Sequence, residues 1–181
     1  MNTNKIKSNK ELTVYLSKDR INTRIKEIAS ELSENFSNDN PVIIGVLNGS
    51  FIFLADLVRL FNFDCDIDFV KANSYVGKES SGKVKLDKDV SIDIKNRRVI
   101  LIEDIIDSGL TIEFLYEHIL SLSPVDITIV ALLSKKNNYK FNFNIDITGF
   151  EIGSDFVVGY GLDLNNKYRN LDSIYGLKEK N

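Results

Sequence analysis

Apolar residues recur three to four positions apart at Ile21, Ile25, Ile28 and Leu32, with Lys, Arg and Glu between them. That spacing lays one apolar stripe along an amphipathic helix, and Ser17 just ahead of it is of a type that caps helix N-termini. Pro41 then opens "PVIIGVLNGSFIFLADLVRLF", where a β-branched run passes through a turn at Asn48-Gly49-Ser50 into a second helical stretch reaching about Phe61. The predicted order is strand, loop, helix. "CDIDFVKANSYV" predicts another strand, and "GKESSGKVKLDKDVSIDIKN" after it is polar and charged with sparse apolar alternation, the pattern of a mobile arm or lid hairpin.

"RRVILIEDIID" is a nearly continuous apolar run, as expected of a strand covered on both faces in a parallel sheet. Ile112, Leu115, Tyr116, Ile119 and Leu120 then mark one face of a helix. "DITIVALLSK" predicts a further buried strand, and "FNIDITGFEI" and "DFVVGYGLDL" two shorter ones. Strands alternating with helices predict a single α/β domain over residues 1–181, with a mostly parallel central sheet flanked by helices.

Composition narrows the function. With 43% hydrophobic residues the 181-residue chain can bury a substantial core. A net charge of -3 and a pI near 5.3 disfavour wholesale binding to nucleic acid or to an anionic membrane surface. Cys65, the one cysteine, makes neither an internal disulfide nor a Cys-rich zinc site, and reads as a packed or partly exposed thiol. His118, the one histidine, falls off the apolar face of its helix and reads as a solvated surface side chain, which argues against a His-dependent triad. "MNTNKIKSNKELTVYL" has no apolar core of secretory length and no later run is long enough to span a bilayer, so the expected location is cytoplasmic.

The chemistry gathers in "VILIEDIIDSGLTIEFL", a buried-looking strand that ends in acids, a glycine and hydroxyls. In parallel sheets ligands collect outside the carboxyl ends of the strands. A helix beginning near Thr111 would aim backbone N–H groups and a partial positive charge at this loop, and Gly109 would let a ligand approach the main chain. Such a cradle suits a phosphate, with Ser108 and Thr111 as hydroxyl donors. Glu103 and Asp104 offer oxygens for sugar hydroxyls or a hydrated Mg²⁺, so the combination points to a phosphorylated sugar. Other nucleotide fingerprints fail: no G-x-x-x-x-G-K-[ST] is present, and "GYGLDL" has Leu164 where a third glycine would fall.

"VILIEDIIDSGLT" resembles the phosphoribosyl-pyrophosphate motif of type I phosphoribosyltransferases, in the form of their hypoxanthine-guanine branch. "IGVLNGSF", "LLSKK" and "DFVVGYGLDLNNKYRNL" agree with that family in order and spacing, so the resemblance runs from about Pro41 to Tyr175. It implies a type I phosphoribosyltransferase fold with a flexible lid and a small hood formed by the chain termini, assembled as a homodimer or homotetramer. The implied activity is purine salvage: Mg²⁺-dependent transfer of 5-phosphoribose from phosphoribosyl pyrophosphate to N9 of hypoxanthine or guanine, giving IMP or GMP and pyrophosphate.

The same resemblance assigns roles. Asp107, Ser108, Gly109, Leu110 and Thr111 match the 5′-phosphate loop, and Glu103 and Asp104 the contacts to the ribose hydroxyls, directly or through metal. Asp107 also matches the general base or acid at purine N7. Leu47, Asn48 and Gly49 match the pyrophosphate loop, whose first peptide bond is often cis in the family, and Arg169 the arginine near the pyrophosphate. Ser74 and Tyr75 match the start of the lid. Lys135 matches the donor to purine O6, Phe156 the ring stacked on the base, Val157 the main-chain base contact, and Asp163 a ligand of a second Mg²⁺. Asn48 departs from the Lys or Arg common in relatives, which implies weaker charge compensation, and Leu110 fills a variable, often polar position.

Taken singly these residues also fit plainer roles. Phe156 and Val157 read as core strand, Lys135-Lys136 as a solvated strand end, and Asp163 with Arg169 as a surface ion pair. Two other functions compete. A nucleotide-binding regulator of RNA or DNA built on the same fold predicts a basic face, against the acidic balance here. A phospho-acceptor signalling domain expects its acidic pair after the first strand, not a central one.

Overall fold

The computed structural model describes residues 10–74, 84–135, 141 and 143–179. In chain order the elements are β1 (Lys10–Leu16), α1 (Lys18–Phe36), β2 (Val42–Leu47), α2 (Phe51–Val58), β3 (Asp66–Ser74), β4 (Val84–Lys88) and β5 (Arg98–Ile106). They continue with α3 (Leu110–Ser121), β6 (Asp126–Ser134), β7 (Ile147–Glu151), β8 (Val157–Val158) and β9 (Ile174–Glu179).

Helix α1 starts where the capping rule puts it: the Arg20 N–H donates to Ser17 Oγ at 3.4 Å. Its stripe of Ile21, Ile25, Ile28 and Leu32 is fully buried. The main sheet has six strands in the order β4-β3-β2-β5-β6-β7. All of its neighbouring pairs are parallel except β3 with β4. From β2 the chain adds strands first on one side and then, from β5 onward, on the other. The strand order therefore reverses between β2 and β5, and the crevice outside their carboxyl ends is where such sheets bind ligands.

Alternate residues of the central strands face two cores. Ile43, Ile100, Ile102, Val130 and Leu132 pack with α1 and α2 on one face. Val42, Ile44, Val99, Leu101 and Ile129 pack with α3 on the other. This is why β5 is apolar without interruption from Val99 to Ile102.

Several local readings are corrected. Helix α2 ends at Val58, where the chain tightens into a turn with Leu60 N donating to Leu57 O, so the stretch does not reach Phe61. Leu120 is 52% exposed, leaving Ile112, Leu115 and Ile119 as the buried face of α3. "DFVVGYGLDL" does not join the central sheet: Val157–Val158 pairs with β9, which also pairs with β1, in a second, three-stranded sheet built from both ends of the chain. His118 is not simply solvated, since its Nε2 lies 2.7 Å from Asp89 Oδ1 and its ring stacks on Phe114. Cys65 is partly exposed, as expected.

Strand β4 runs antiparallel to β3 and gives the polar arm its return strand. The tip, residues 75–83, lies outside the described residues. The base of the arm is tied to Asp68 on β3. Burial opposes charge on this side chain, but N–H groups of Ser91, Phe69 and Ile92 and the Lys88 ammonium all donate to it and hold its pKa at about 2. An unfolded aspartate titrates near 3.9, so the folded pKa is depressed; the stabilisation is complete above about pH 4 and is lost as pH falls towards 2. Asp68→Asn should therefore lower the unfolding free energy by about 1–2.5 kcal/mol at pH 7 and by much less at pH 2.5. Denaturant unfolding at the two pH values reads this difference, and an equal loss at both would refute the electrostatic origin.

Candidate active site

The crevice between β2 and β5 is floored by acid. Glu103 and Asp104, at the end of β5, are 6% and 9% exposed. The Asp104 N–H donates to Glu103 Oε1 at 3.2 Å, and the Ile105 N–H to Asp104 Oδ1 at 2.9 Å. Burial pushes both carboxyls above the usual range. For Glu103 the neighbouring charge of Asp104 adds to burial and raises it far, whereas for Asp104 the hydrogen bond with Glu103, the backbone N–H groups and, least, the Arg169 guanidinium counteract part of the rise. Two buried carboxyls this close disfavour ionising both at once.

Past the acids the chain turns through Asp107 and Ser108 to Gly109, whose φ of 82° is the left-handed conformation glycine adopts without penalty. Helix α3 begins immediately after it, at Leu110, one residue earlier than the sequence suggested. Glycine brings no capping side chain, and first-turn N–H groups lack intrahelical acceptors, so this loop is an anion-binding geometry. The side chain of Leu110 is 45% exposed, so a polar residue there would bury no unpaired group.

Strand β6 delivers Lys135 beside the same loop. The Lys135 N–H donates to Ile106 O at 2.9 Å, and its Nζ lies 2.8 Å from Asp107 Oδ2. The lysine side chain is only 11% exposed, so it is not a solvated strand end. Phe156 is 53% exposed while Val157 beside it is 5% exposed: β8 begins at Val157 and leaves the aromatic ring outside the core. Asp104, Asp107, Lys135, Phe156, Val157 and Asp163 line one cavity of about 200 Å³.

The third wall is backbone. A Cβ on Gly49 would fall 1.6 Å from Asp104 Oδ2, so only glycine lets the Leu47-Asn48-Gly49 turn lie against the acid. The Leu47–Asn48 peptide bond is cis, and the Asn48 side chain is exposed. Gly161 in turn backs Gly49, since a Cβ there would fall 2.1 Å from Gly49 O. Arg169 donates from Nη1 to Gly161 O and pairs through Nη2 with Asp163 Oδ1, each at 2.7 Å. Asp163 Oδ2 accepts from the Asn166 N–H at 2.7 Å.

All four quoted sequence segments thus meet at one crevice. Ser74 closes β3, and Tyr75 lies outside the described residues, so the lid assignment is not placed. Gly161 and its neighbour Tyr160 were missed. "GYGLDL" reads as a short strand, a failed dinucleotide fingerprint and part of a family-matching segment, none of which gives its glycines a role, although two glycines bracketing one residue are a signal of tight backbone contact. Among the described residues no group of three or more His, Cys, Asp or Glu side chains converges on one point, and no described helix is long and apolar enough to cross a membrane.

Comparison with known proteins places the chain in a family. Residues 13–165 match the model of the phosphoribosyl transferase domain. The hypoxanthine-guanine phosphoribosyltransferase of Aquifex aeolicus is 40% identical over 172 residues, covering 94% of this chain and 97% of that protein. The protein of the same name from Bacillus subtilis is 40% identical over 166 residues, covering 91% and 92%. A crystal structure of a hypoxanthine-guanine phosphoribosyltransferase from Bacillus anthracis superposes with a TM-score of 0.86 at 39% identity, covering 93% of this chain and 99% of that one.

Proposed function

The chain belongs to the phosphoribosyl transferase family, in its hypoxanthine-guanine branch, and from that premise we propose that it performs purine salvage. The reaction moves 5-phosphoribose from phosphoribosyl pyrophosphate to N9 of hypoxanthine or guanine and releases pyrophosphate. The observation that carries this reading is the cavity in which an exposed Phe156 ring faces the Lys135–Asp107 pair, next to the glycine-opened start of α3.

In this reading the purine stacks on Phe156, the Val157 backbone meets its edge, and Lys135 donates to O6. Asp107 exchanges a proton with N7 as N9 forms its bond to C1 of the ribose. Gly109 and the first turn of α3, with Ser108 and Thr111, hold the 5′-phosphate, and Glu103 and Asp104 hold the ribose hydroxyls. Leu47-Asn48-Gly49 and Arg169 hold the pyrophosphate, which gains negative charge as the C1–O bond breaks. Closure of the segment that begins at Ser74-Tyr75 would exclude water from the cationic sugar.

The residues present fit Mg²⁺. The buried Glu103–Asp104 pair puts two carboxyls side by side away from water, and Asp163 adds a third carboxylate on the wall of the same cavity as Asp104. These are too few for a closed cage, which suits an ion that takes one or two carboxylates and fills its shell with phosphate and water. When bound, the ion supplies positive charge to the departing pyrophosphate oxygens. Activity should require Mg²⁺, and Asp163→Asn should raise the free Mg²⁺ needed for half-maximal rate by about threefold to tenfold. Full activity in excess chelator contradicts this assignment.

The decisive experiment assays hypoxanthine, guanine, xanthine and adenine with phosphoribosyl pyrophosphate and Mg²⁺, reading pyrophosphate release. Hypoxanthine or guanine should be turned over well and adenine poorly; no release with any base overturns the proposal. A cytoplasmic location and a homodimer or homotetramer belong to the same reading.

A further inference from the structure

Gly159, Tyr160 and Gly161 have positive φ values of 99°, 51° and 99° in succession. Glycine adopts that conformation freely, whereas in tyrosine the Cβ crowds the following carbonyl oxygen. A tyrosine kept at such a position must recover through its side chain what its backbone loses. Tyr160 is 5% exposed and packs in the core beneath α1 and α2. Its hydroxyl donates to Asp56 Oδ2 at 2.6 Å, joining residues 104 positions apart. Burial, then the Asp56 charge, push the phenol pKa further up, so it remains a donor.

Asp56 lies on α2, the helix that opens directly after the Leu47-Asn48-Gly49-Ser50 turn. On the other side of Tyr160, Gly161 is held by Arg169 twice: its N–H donates to Arg169 O at 2.9 Å and its carbonyl accepts from Arg169 Nη1. The two segments that carry the proposed pyrophosphate contacts therefore touch backbone to backbone at Gly49 and Gly161. The Tyr160–Asp56 hydrogen bond ties the two segments together one residue from that contact on the Gly161 side and, through α2, seven residues from it on the Gly49 side.

We propose that Tyr160 is a positioning residue: through Asp56 it holds the Gly161–Arg169 segment against the Leu47–Gly49 turn, so that both grip the pyrophosphate as one unit. This rests on the transferase reading above and adds to it a determinant of affinity for the pyrophosphoryl end of the substrate, separate from purine recognition.

The test uses Tyr160→Phe, Asp56→Ala and Asp56→Asn in the full chain. Tyr160→Phe should raise KM for phosphoribosyl pyrophosphate, and for pyrophosphate in the reverse direction, by about fivefold to tenfold, with KM for hypoxanthine within about twofold of wild type. Asp56→Ala should match it, and the double variant should be no worse than either alone. Asp56→Asn keeps an oxygen that can accept from the phenol and should stay near wild type. Hydrogen exchange supplies a readout independent of turnover: amides of residues 47–50 and 161–163 should exchange faster in Tyr160→Phe, with protection of α3 unchanged. A lower melting temperature with every KM unchanged would make Tyr160 a packing residue and overturn the proposal. If wild-type protein releases no pyrophosphate from any purine, the transferase reading fails; exchange still decides the fastening, which is overturned by unchanged protection at residues 47–50.

Discussion

Asp107→Asn should lower turnover by about 10² to 10⁴ while the protein still folds, the range expected when acid/base help is lost from a reacting centre. Asp107 stands at the mouth of the crevice, its side chain 54% exposed, so the substitution buries no unpaired group and leaves the core intact. Lys135, whose Nζ lies 2.8 Å from Asp107 Oδ2, can still donate to the amide oxygen of Asn, so the lysine keeps a neighbour. What the amide lacks is a carboxylate that can take a proton from the purine and return it. The loss should therefore fall on kcat, with KM for hypoxanthine changed by less than about threefold, because an interaction made only in the transition state has been removed. Unchanged kcat in a folded variant would exclude Asp107 from proton transfer.

Lys135→Met should reverse that division, acting on base choice. The ammonium has three donors and no acceptor, so it suits a 6-oxo group and opposes the amino group of adenine. Its side chain is 11% exposed and emerges from the buried end of β6, a setting in which an unmatched polar partner is costly. A site built around a hydrogen bond discriminates strongly against an analogue that cannot make it. Met preserves most of the aliphatic stem, so kcat/KM for hypoxanthine and guanine should fall by about 10² or more, while residual use of adenine changes little and the ratio narrows. Phe156 contributes nothing to that ratio, since a ring face stacks on every purine. If the wild-type protein uses adenine as well as guanine, or Lys135→Met leaves the ratio untouched, the base-reading assignment is wrong.

The parts of the site legible in the sequence are those whose residues are neighbours along the chain. The run from Val99 to Thr111 contains its own strand, acids, turn glycine and helix start, and the structure realises them in that order. Burial on both faces made β5 readable, because it removes the polar half of the strand pattern. Phe156 was ambiguous for the opposite reason. Beside Val157 and Val158 it reads as core, and only the two-residue length of β8 leaves its ring outside. The fastening between Tyr160 and Asp56, and the contact between Gly161 and Gly49, were not legible because they join distant parts of the chain with no local period to reveal them. His118 failed similarly: a helical wheel sets it off the apolar face of α3, but Asp89 from the end of the polar arm covers it.

The small sheet has a consequence for how the molecule is made. β9 is its middle strand, and Leu177 N donates to Phe156 O at the edge of the pairing that holds Val157 and Val158. Strands β2, β3, β5, β6 and β7 all precede residue 152, so a chain still emerging from the ribosome can complete the central sheet, and with it the loop at Gly109, before β9 is available. Until then β1 and β8 have no partner between them. A nascent chain can thus form the Gly109 loop first, and the wall that presents Phe156 only once β9 has followed.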